Sequence, residues 1–293
     1  MKYITVSDLS NTIRKNLWKI PRDIDFVIGI PRSGMLCASL ISSYLNVPLI
    51  DIKSFTVGEG IKPYGGGRLL FFEKNHIKTG RALVVDDTVY NGSSMNNAKD
   101  KLGNTAEMEF VYMCVYLEGT NGKDAVDIYL EDVRQYTKDD LPIVLYEWNI
   151  FQHHDCFMRQ FLFDLDGVFC VDPPDERNEP VYQEYIKSAQ PLFIPRTPIG
   201  GIATYRLIKN KDVTEKWLSS QGITDNHLFM FNANSWEERN NSNIGPALYK
   251  AMIYKQMPNY KLFFESDDRQ AQEIFKLSNK PVYCVETNKL YQS

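Results

Sequence analysis

Short apolar runs and stretches of helical apolar spacing alternate along most of this chain. Asp25–Ile30, Pro48–Lys53, Ala82–Val85 and Glu109–Tyr116 read as buried strands, with a shorter one at Val126–Leu130. Between them, Ser7 caps a helix carrying Leu9, Ile13, Leu17 and Trp18, and Met35–Leu45 and Met95–Leu102 have helical patterns. The rhythm resumes later in strands at Gln160–Phe163, Pro198–Ala203, Tyr260–Phe264 and Lys280–Cys284. Strand and helix in alternation predict the α/β class, with parallel sheets flanked by helices. The pattern breaks at Phe151–Cys156, where His153 and His154 read as linker, so two such domains are expected, at residues 1–152 and 158–293.

Composition narrows this picture. A chain of 293 residues with 43% hydrophobic and 13% aromatic residues can fill two cores. A net charge of −4 argues against a nucleic-acid surface, which needs excess Lys and Arg. No window approaches the roughly 18 apolar residues of a membrane span, and the first residues lack a signal peptide's apolar core, so a soluble cytoplasmic protein without an integral membrane segment is expected. Five scattered cysteines read as buried thiols rather than zinc ligands or disulfides. A homo-oligomer stays open.

Two loops in the first half carry chemistry. The strand at Ala82–Val85 delivers Asp86 and Asp87 at its carboxyl end, where open α/β sheets place ligands, and Thr88–Ser94 then offers hydroxyls, an amide and backbone N–H groups before a helix. Upstream, Pro31-Arg32-Ser33-Gly34 joins a strand directly to a helix and suits a pyrophosphate. Two acids followed by a Gly-Ser-Ser turn, with Val-Ile-Gly-Ile-Pro-Arg-Ser-Gly ahead of them, resemble the type I phosphoribosyltransferases. The resemblance implies that Asp86 and Asp87 hold the ribose hydroxyls of phosphoribosyl pyrophosphate. It assigns the 5-phosphate to Asn91, Gly92, Ser93 and Ser94, and the pyrophosphate to Arg32, Ser33 and Gly34, with Mg²⁺ as cofactor. Asn91 stands where that family most often has threonine. The glycine-dense Val57–Arg68 matches the family's mobile loop, or is an idle surface loop. For Tyr146, Trp148 and Phe151, stacking on the acceptor and packing at a domain border both stand.

In the second half Asp164-Leu-Asp166-Gly167-Val168 follows a Phe-Leu-Phe strand, with two acids pointing the same way and a glycine to turn the chain. Such a pair can share Mg²⁺ while one carboxylate attacks phosphorus and the other handles a proton. The stretch is similar to the first motif of the haloacid-dehalogenase superfamily. That resemblance implies Asp164 as nucleophile, Asp166 as general acid and then base, Thr204 as the hydroxyl on the phosphoryl group with Arg206 adding charge, and Lys250 (competitor Lys255) as the motif lysine. Asp164, Asp166 and Glu265 are the implied Mg²⁺ ligands, with Asp267 and Asp268 as substitutes for Glu265. Only a small cap fits between the first two motifs.

Joined in one chain, the two resemblances imply successive steps. Ribose 5-phosphate passes from phosphoribosyl pyrophosphate to a saccharide acceptor, and the 5-phosphate is then removed, as in the ribofuranosyl-transferring enzymes of bacterial polysaccharide synthesis. A nucleobase phosphoribosyltransferase fused to a nucleotidase is the alternative, and an RNA-binding sensor of phosphoribosyl pyrophosphate is the third reading.

Overall fold

The computed structural model describes residues 1–57, 80–103, 108–138, 141–142, 144–153, 155–224 and 226–292. The chain divides into two compact units, Met1–Trp148 and Asn149–Ser293.

The first unit runs β1 (Lys2–Ile4), α1 (Val6–Lys15), β2 (Phe26–Gly29), α2 (Ser33–Leu45), β3 (Leu49–Asp51), α3 (Ile52–Val57), β4 (Gly80–Val89), α4 (Ser93–Leu102), β5 (Met108–Leu117) and β6 (Ile128–Asp132). It ends with the short strands β7 (Thr137–Lys138), β8 (Leu141–Pro142) and β9 (Val144–Tyr146). Five strands form a parallel sheet in the order β3-β2-β4-β5-β6. Because side chains alternate across a strand, Val27, Leu83, Val85, Met113 and Val115 join the core under α1 and α2, while Phe26, Ile28, Ala82, Val84 and Cys114 join the opposite one. β1 and β9 pair in parallel beside this sheet, so the two ends of the unit meet.

Several expectations shift. Thr5, not Ser7, caps α1: it accepts from Asp8 N–H while the Asp8 carboxylate accepts from Thr5 N–H. The helix stops at Lys15, so Leu17 and Trp18 fall in a separate 3-10 turn, and Trp18 is 79% exposed. The strand expected at Glu109–Tyr116 is buried on both faces only from Met113 onward.

The second unit runs α5 (Asp155–Met158), β10 (Phe161–Phe163), α6 (Glu179–Ser188), β11 (Gly201–Leu207), α7 (Lys211–Ser220), β12 (His227–Phe231), α8 (Trp236–Asn241), α9 (Pro246–Gln256), β13 (Leu262–Glu265), α10 (Asp268–Ser278), β14 (Val282–Cys284) and β15 (Lys289–Tyr291). Its sheet order is β12-β11-β10-β13-β14-β15, parallel except for β15. The sheet therefore closes on an antiparallel edge strand beyond the expected last strand at Lys280–Cys284. Phe151 packs against Phe193 and Phe264 in this unit, which accounts for it as a packing residue. His153 is part-buried with its ring edge on Phe157, unlike the exposed linker expected there, and His154 lies outside the described residues. The five cysteines are free, and of these only Cys156 is exposed. No described helix is long and apolar enough to cross a membrane.

Candidate active sites

Each sheet reverses its winding once. In the first unit β3 follows β2 in one direction and β4 lies on β2's other side. Chain connections diverge there, opening a crevice at the carboxyl ends of the strands. The residues expected at the first site flank that crevice. The loop after β2 leads into α2 through a cis Pro31–Arg32 peptide, and Asp86 and Asp87 lie in the last part of β4, both buried. A Cβ at Gly34, in the first turn of α2, would stand 2.8 Å from Val85 O and 2.9 Å from Asp86 Oδ1, so glycine lets the start of α2 lie this close to the acids. Neither α2 nor α4 has a side-chain hydrogen bond at its N-cap, Arg32 and Gly92 respectively. Two helix amino ends with backbone donors thus converge beside a pair of carboxylates.

Gly92 turns the chain with φ +80°. Asn91 Oδ1 accepts from Ser93 N–H at 3.0 Å and from Ser93 Oγ at 2.8 Å. The amide oxygen at this position is thereby spent on the turn itself, and the Asn91 amino group is the end suited to donate to an anion. Asn91, Ser93 and Ser94 are exposed, as is Arg32. The stretch expected to form a mobile loop, beyond Val57, lies outside the described residues.

Asp86 is pushed up to about 8, first by burial and then by the charge of Asp87. The folded protein therefore holds a proton on Asp86 that the unfolded chain releases, so stability falls as pH rises from about 4 to about 8. Asp86→Asn should raise stability by about 0.5–2 kcal/mol at pH 8, with the gain vanishing near pH 4, as urea titrations at the two pH values will show. An unchanged difference between the two pH values would contradict this.

Sequence reasoning missed the surroundings of Asp87. Trp148 Nε1–H donates to Asp87 Oδ2 at 2.8 Å, and the Trp148 ring lies 4.8 Å from that of Tyr146. Tyr146 in turn donates to Glu118 Oε1 at 2.5 Å. Its two aromatics were noticed in the sequence, but nothing there linked them to Asp87, and Glu118 carried no signal.

In the second unit β11 and β12 extend the sheet to one side of β10 and β13 to the other, so Asp164 and Glu265 end neighbouring strands at the winding reversal. Lys250, buried on α9, bridges them: Nζ donates to Asp164 Oδ2 at 2.5 Å, to Glu265 Oε2 at 2.7 Å and to Gln270 Oε1 at 3.1 Å. Leu165 N–H donates to Asp164 Oδ1 at 2.8 Å. Burial pushes the Asp164 carboxyl up, and the Lys250 ammonium opposes that shift. Thr204 is fully buried inside β11 rather than at its end, just before a register shift between Thr204 and Leu207.

Arg206 was expected to add charge at the phosphoryl group. Its buried guanidinium instead donates to Asp166, from Nε at 3.0 Å and from Nη2 at 2.5 Å, and Tyr185 on α6 donates to the same carboxylate at 2.6 Å. Burial works against ionisation of Asp166, but Arg206 outweighs it and holds the carboxyl below its usual range. Arg206 and Tyr185 thus both hydrogen-bond the carboxylate expected to handle protons.

No group of three or more His, Cys, Asp or Glu arranged to hold a metal occurs among the described residues. Of the expected Mg²⁺ ligands, Asp164 and Glu265 share the Lys250 ammonium, and Asp166 is paired with Arg206. The substitutes are engaged elsewhere: Asp267 caps α10 by accepting from Gln270 N–H, and Asp268 accepts from Thr287 and Tyr291.

A family model described as the phosphoribosyl transferase domain matches residues 3–149. The chain belongs to the phosphoribosyltransferase family. Over 157 residues it is 31% identical to a xanthine-guanine phosphoribosyltransferase of Chromohalobacter salexigens, covering 53% of this chain and 76% of that protein. Among solved structures it resembles a purine phosphoribosyltransferase from Pyrococcus horikoshii Ot3, at 18% identity and a TM-score of 0.35 over 50% of this chain and 92% of that one. It also resembles a Helicobacter pylori xanthine-guanine-hypoxanthine phosphoribosyltransferase, at 15% identity and 0.35 over 51% and 93%. The phosphoribosyltransferase match covers the crevice with Asp86 and Asp87 and ends beside Trp148.

Proposed function

We propose that this phosphoribosyltransferase works in two steps, transferring ribose 5-phosphate to an acceptor at the first site and hydrolysing the 5-phosphate at the second. The observation that carries the first step is the pair of buried acids set between two helix amino ends. Asp86 and Asp87 would hold the ribose hydroxyls, Asn91 to Ser94 the 5-phosphate, and Arg32 to Gly34 the pyrophosphate that leaves C1 with its electron pair. Mg²⁺ would arrive bound to the substrate's pyrophosphate.

For the second step, a haloacid-dehalogenase-like phosphatase is our reading of residues 158–293. Asp164 attacks phosphorus, the ester bond to O5 breaks as O5 takes a proton from the Asp166 carboxyl, and Asp166 then takes a proton from the water that hydrolyses the aspartyl phosphate. Arg206 and Tyr185 hold Asp166 in place for that proton transfer.

The 31% identical relative is a xanthine-guanine enzyme, which favours a nucleobase acceptor over the saccharide expected from the sequence. The leading reading is therefore a nucleobase phosphoribosyltransferase joined to a nucleotidase. The saccharide reading keeps one observation in its favour, the buried Asp164–Lys250–Glu265 cluster beside a clamped Asp166. A phosphatase built from that cluster would undo nucleotide synthesis but would complete the transfer of plain ribofuranose. Incubation with phosphoribosyl pyrophosphate, Mg²⁺ and a panel of nucleobases and saccharides decides between them. Consumption with guanine or xanthine alone supports the first reading, consumption with a saccharide alone supports the second, and no pyrophosphate release with any of them overturns both.

A further inference from the structure

We propose that Glu118 is the group that takes the proton from the acceptor as it bonds to C1 of the ribose. The proposal rests on the first site binding phosphoribosyl pyrophosphate as above, and it holds for either acceptor class, since a nucleobase N–H and a sugar O–H must each lose a proton. Atoms balance simply. The acceptor's nitrogen or oxygen bonds to C1, its proton moves to the Glu118 carboxylate, and the C1–oxygen bond breaks with its electrons leaving on pyrophosphate.

Position is the first support. Glu118 directly follows β5, and its N–H donates to Val89 O at 2.9 Å, the last residue of the strand that bears Asp86 and Asp87. The backbone thereby fixes Glu118 alongside the start of the loop assigned to the 5-phosphate. A chain of side-chain contacts from Asp87 to Glu118 supplies the second support. Asp87 accepts from Trp148, Trp148 packs on Tyr146, and Tyr146 donates to Glu118. Each member has a rigid partner, so the carboxylate is held near the acid pair by packing as well as by chain connectivity.

Chemistry is the third support. Glu118 is part-buried, and burial raises its carboxyl to about 7, where a base is half ionised at neutral pH and still strong enough to accept a proton. The Tyr146 hydroxyl opposes that rise by hydrogen bonding the ionised form, and the charge of Asp87 adds to it. Among the described residues, the titratable groups around it include Asp87 from β4, Cys114 from β5 and Tyr146 from β9, and burial pushes both the Cys114 thiol and the Tyr146 phenol up, which keeps them neutral in this range. Asp86 is pushed up to about 8 and would not act as the base at pH 7.

The test follows pyrophosphate release from phosphoribosyl pyrophosphate with Mg²⁺, from about pH 5.5 to about pH 9, with guanine as acceptor and with water as the only acceptor. Wild type should lose rate as pH falls through about 7, because the protonated carboxyl cannot accept a proton. Glu118→Gln should lower kcat by roughly 100-fold or more at pH 8 and flatten that limb, while binding of phosphoribosyl pyrophosphate stays within about twofold. Tyr146→Phe should keep most of the rate at high pH but move the limb upward, a displacement that a purely structural role would not produce. Wild-type rate and limb in Glu118→Gln overturn the proposal, and should that variant fail to fold, an unmoved limb in Tyr146→Phe overturns it instead. Failure of the underlying reading looks different, since wild type itself would then not bind phosphoribosyl pyrophosphate.

Discussion

Asp164→Asn should lower phosphate release by roughly three orders of magnitude or more and leave transfer untouched, so that the product accumulates with its 5-phosphate in place. The change is local. Asparagine keeps the oxygen that accepts from Leu165 N–H, and Lys250 keeps Glu265 and Gln270 as partners. What disappears is the carboxylate oxygen that would attack phosphorus. The buried cluster also loses one negative charge, which leaves Lys250 paired with Glu265 alone, and an ion pair of that kind is electrically balanced. The fold should therefore persist, and circular dichroism spectra of variant and wild type should overlay. Mass spectrometry of the product, with and without the substitution, reads the outcome. A dephosphorylated product from the variant would remove Asp164 from the mechanism, and loss of transfer would mean that the two sites are not separable.

Strand-end acids were the most legible feature of the sequence, for a physical reason. A parallel strand buried on both faces must be apolar, so the first charged residues after it mark the sheet's carboxyl edge, where ligands sit. Asp164 directly follows β10, Glu265 is the last residue of β13, and Asp86 and Asp87 follow the apolar run Ala82–Val85 within β4. Contacts between residues far apart in the chain were not legible. Trp148 reaches back 61 positions to Asp87, and Arg206 reaches back 40 positions to Asp166. Spacing along one strand or helix says nothing about such pairs. Arg206 was expected at the phosphoryl group because it follows Thr204 by two residues on β11, yet it serves Asp166 instead. Glu118 was hidden for a related reason: a single acid after an apolar strand is ordinary until Tyr146 and Trp148 are seen beside it. The lysine between two of the expected Mg²⁺ ligands was equally hidden, since sequence could place three carboxylates near one sheet edge but not the Lys250 ammonium that Asp164 and Glu265 share.

That lysine underlies the largest stability effect expected in the second unit. Lys250→Met should destabilise it by about 3–5 kcal/mol, the usual cost of removing one partner from a buried ion pair. Glu265 is fully buried and Asp164 nearly so, and both depend on the same ammonium. Without it, two carboxylates share a site from which water is excluded, and their mutual repulsion adds to the desolvation of each. Protonation relieves both costs. The deficit of the variant should therefore be greatest at high pH, where the stranded charges persist, and shrink as the solution is acidified. Hydrogen exchange of amides in β10 and β13 reports this unit directly, and protection there should fall in Lys250→Met at pH 8 far more than at pH 5. The double variant Lys250→Met with Glu265→Gln removes one of the stranded charges. It should recover part of the loss, so that the two substitutions together cost less than the sum of each alone. Simple additivity would mean that Lys250 and Glu265 are not energetically coupled, and that the ammonium serves Asp164 by itself.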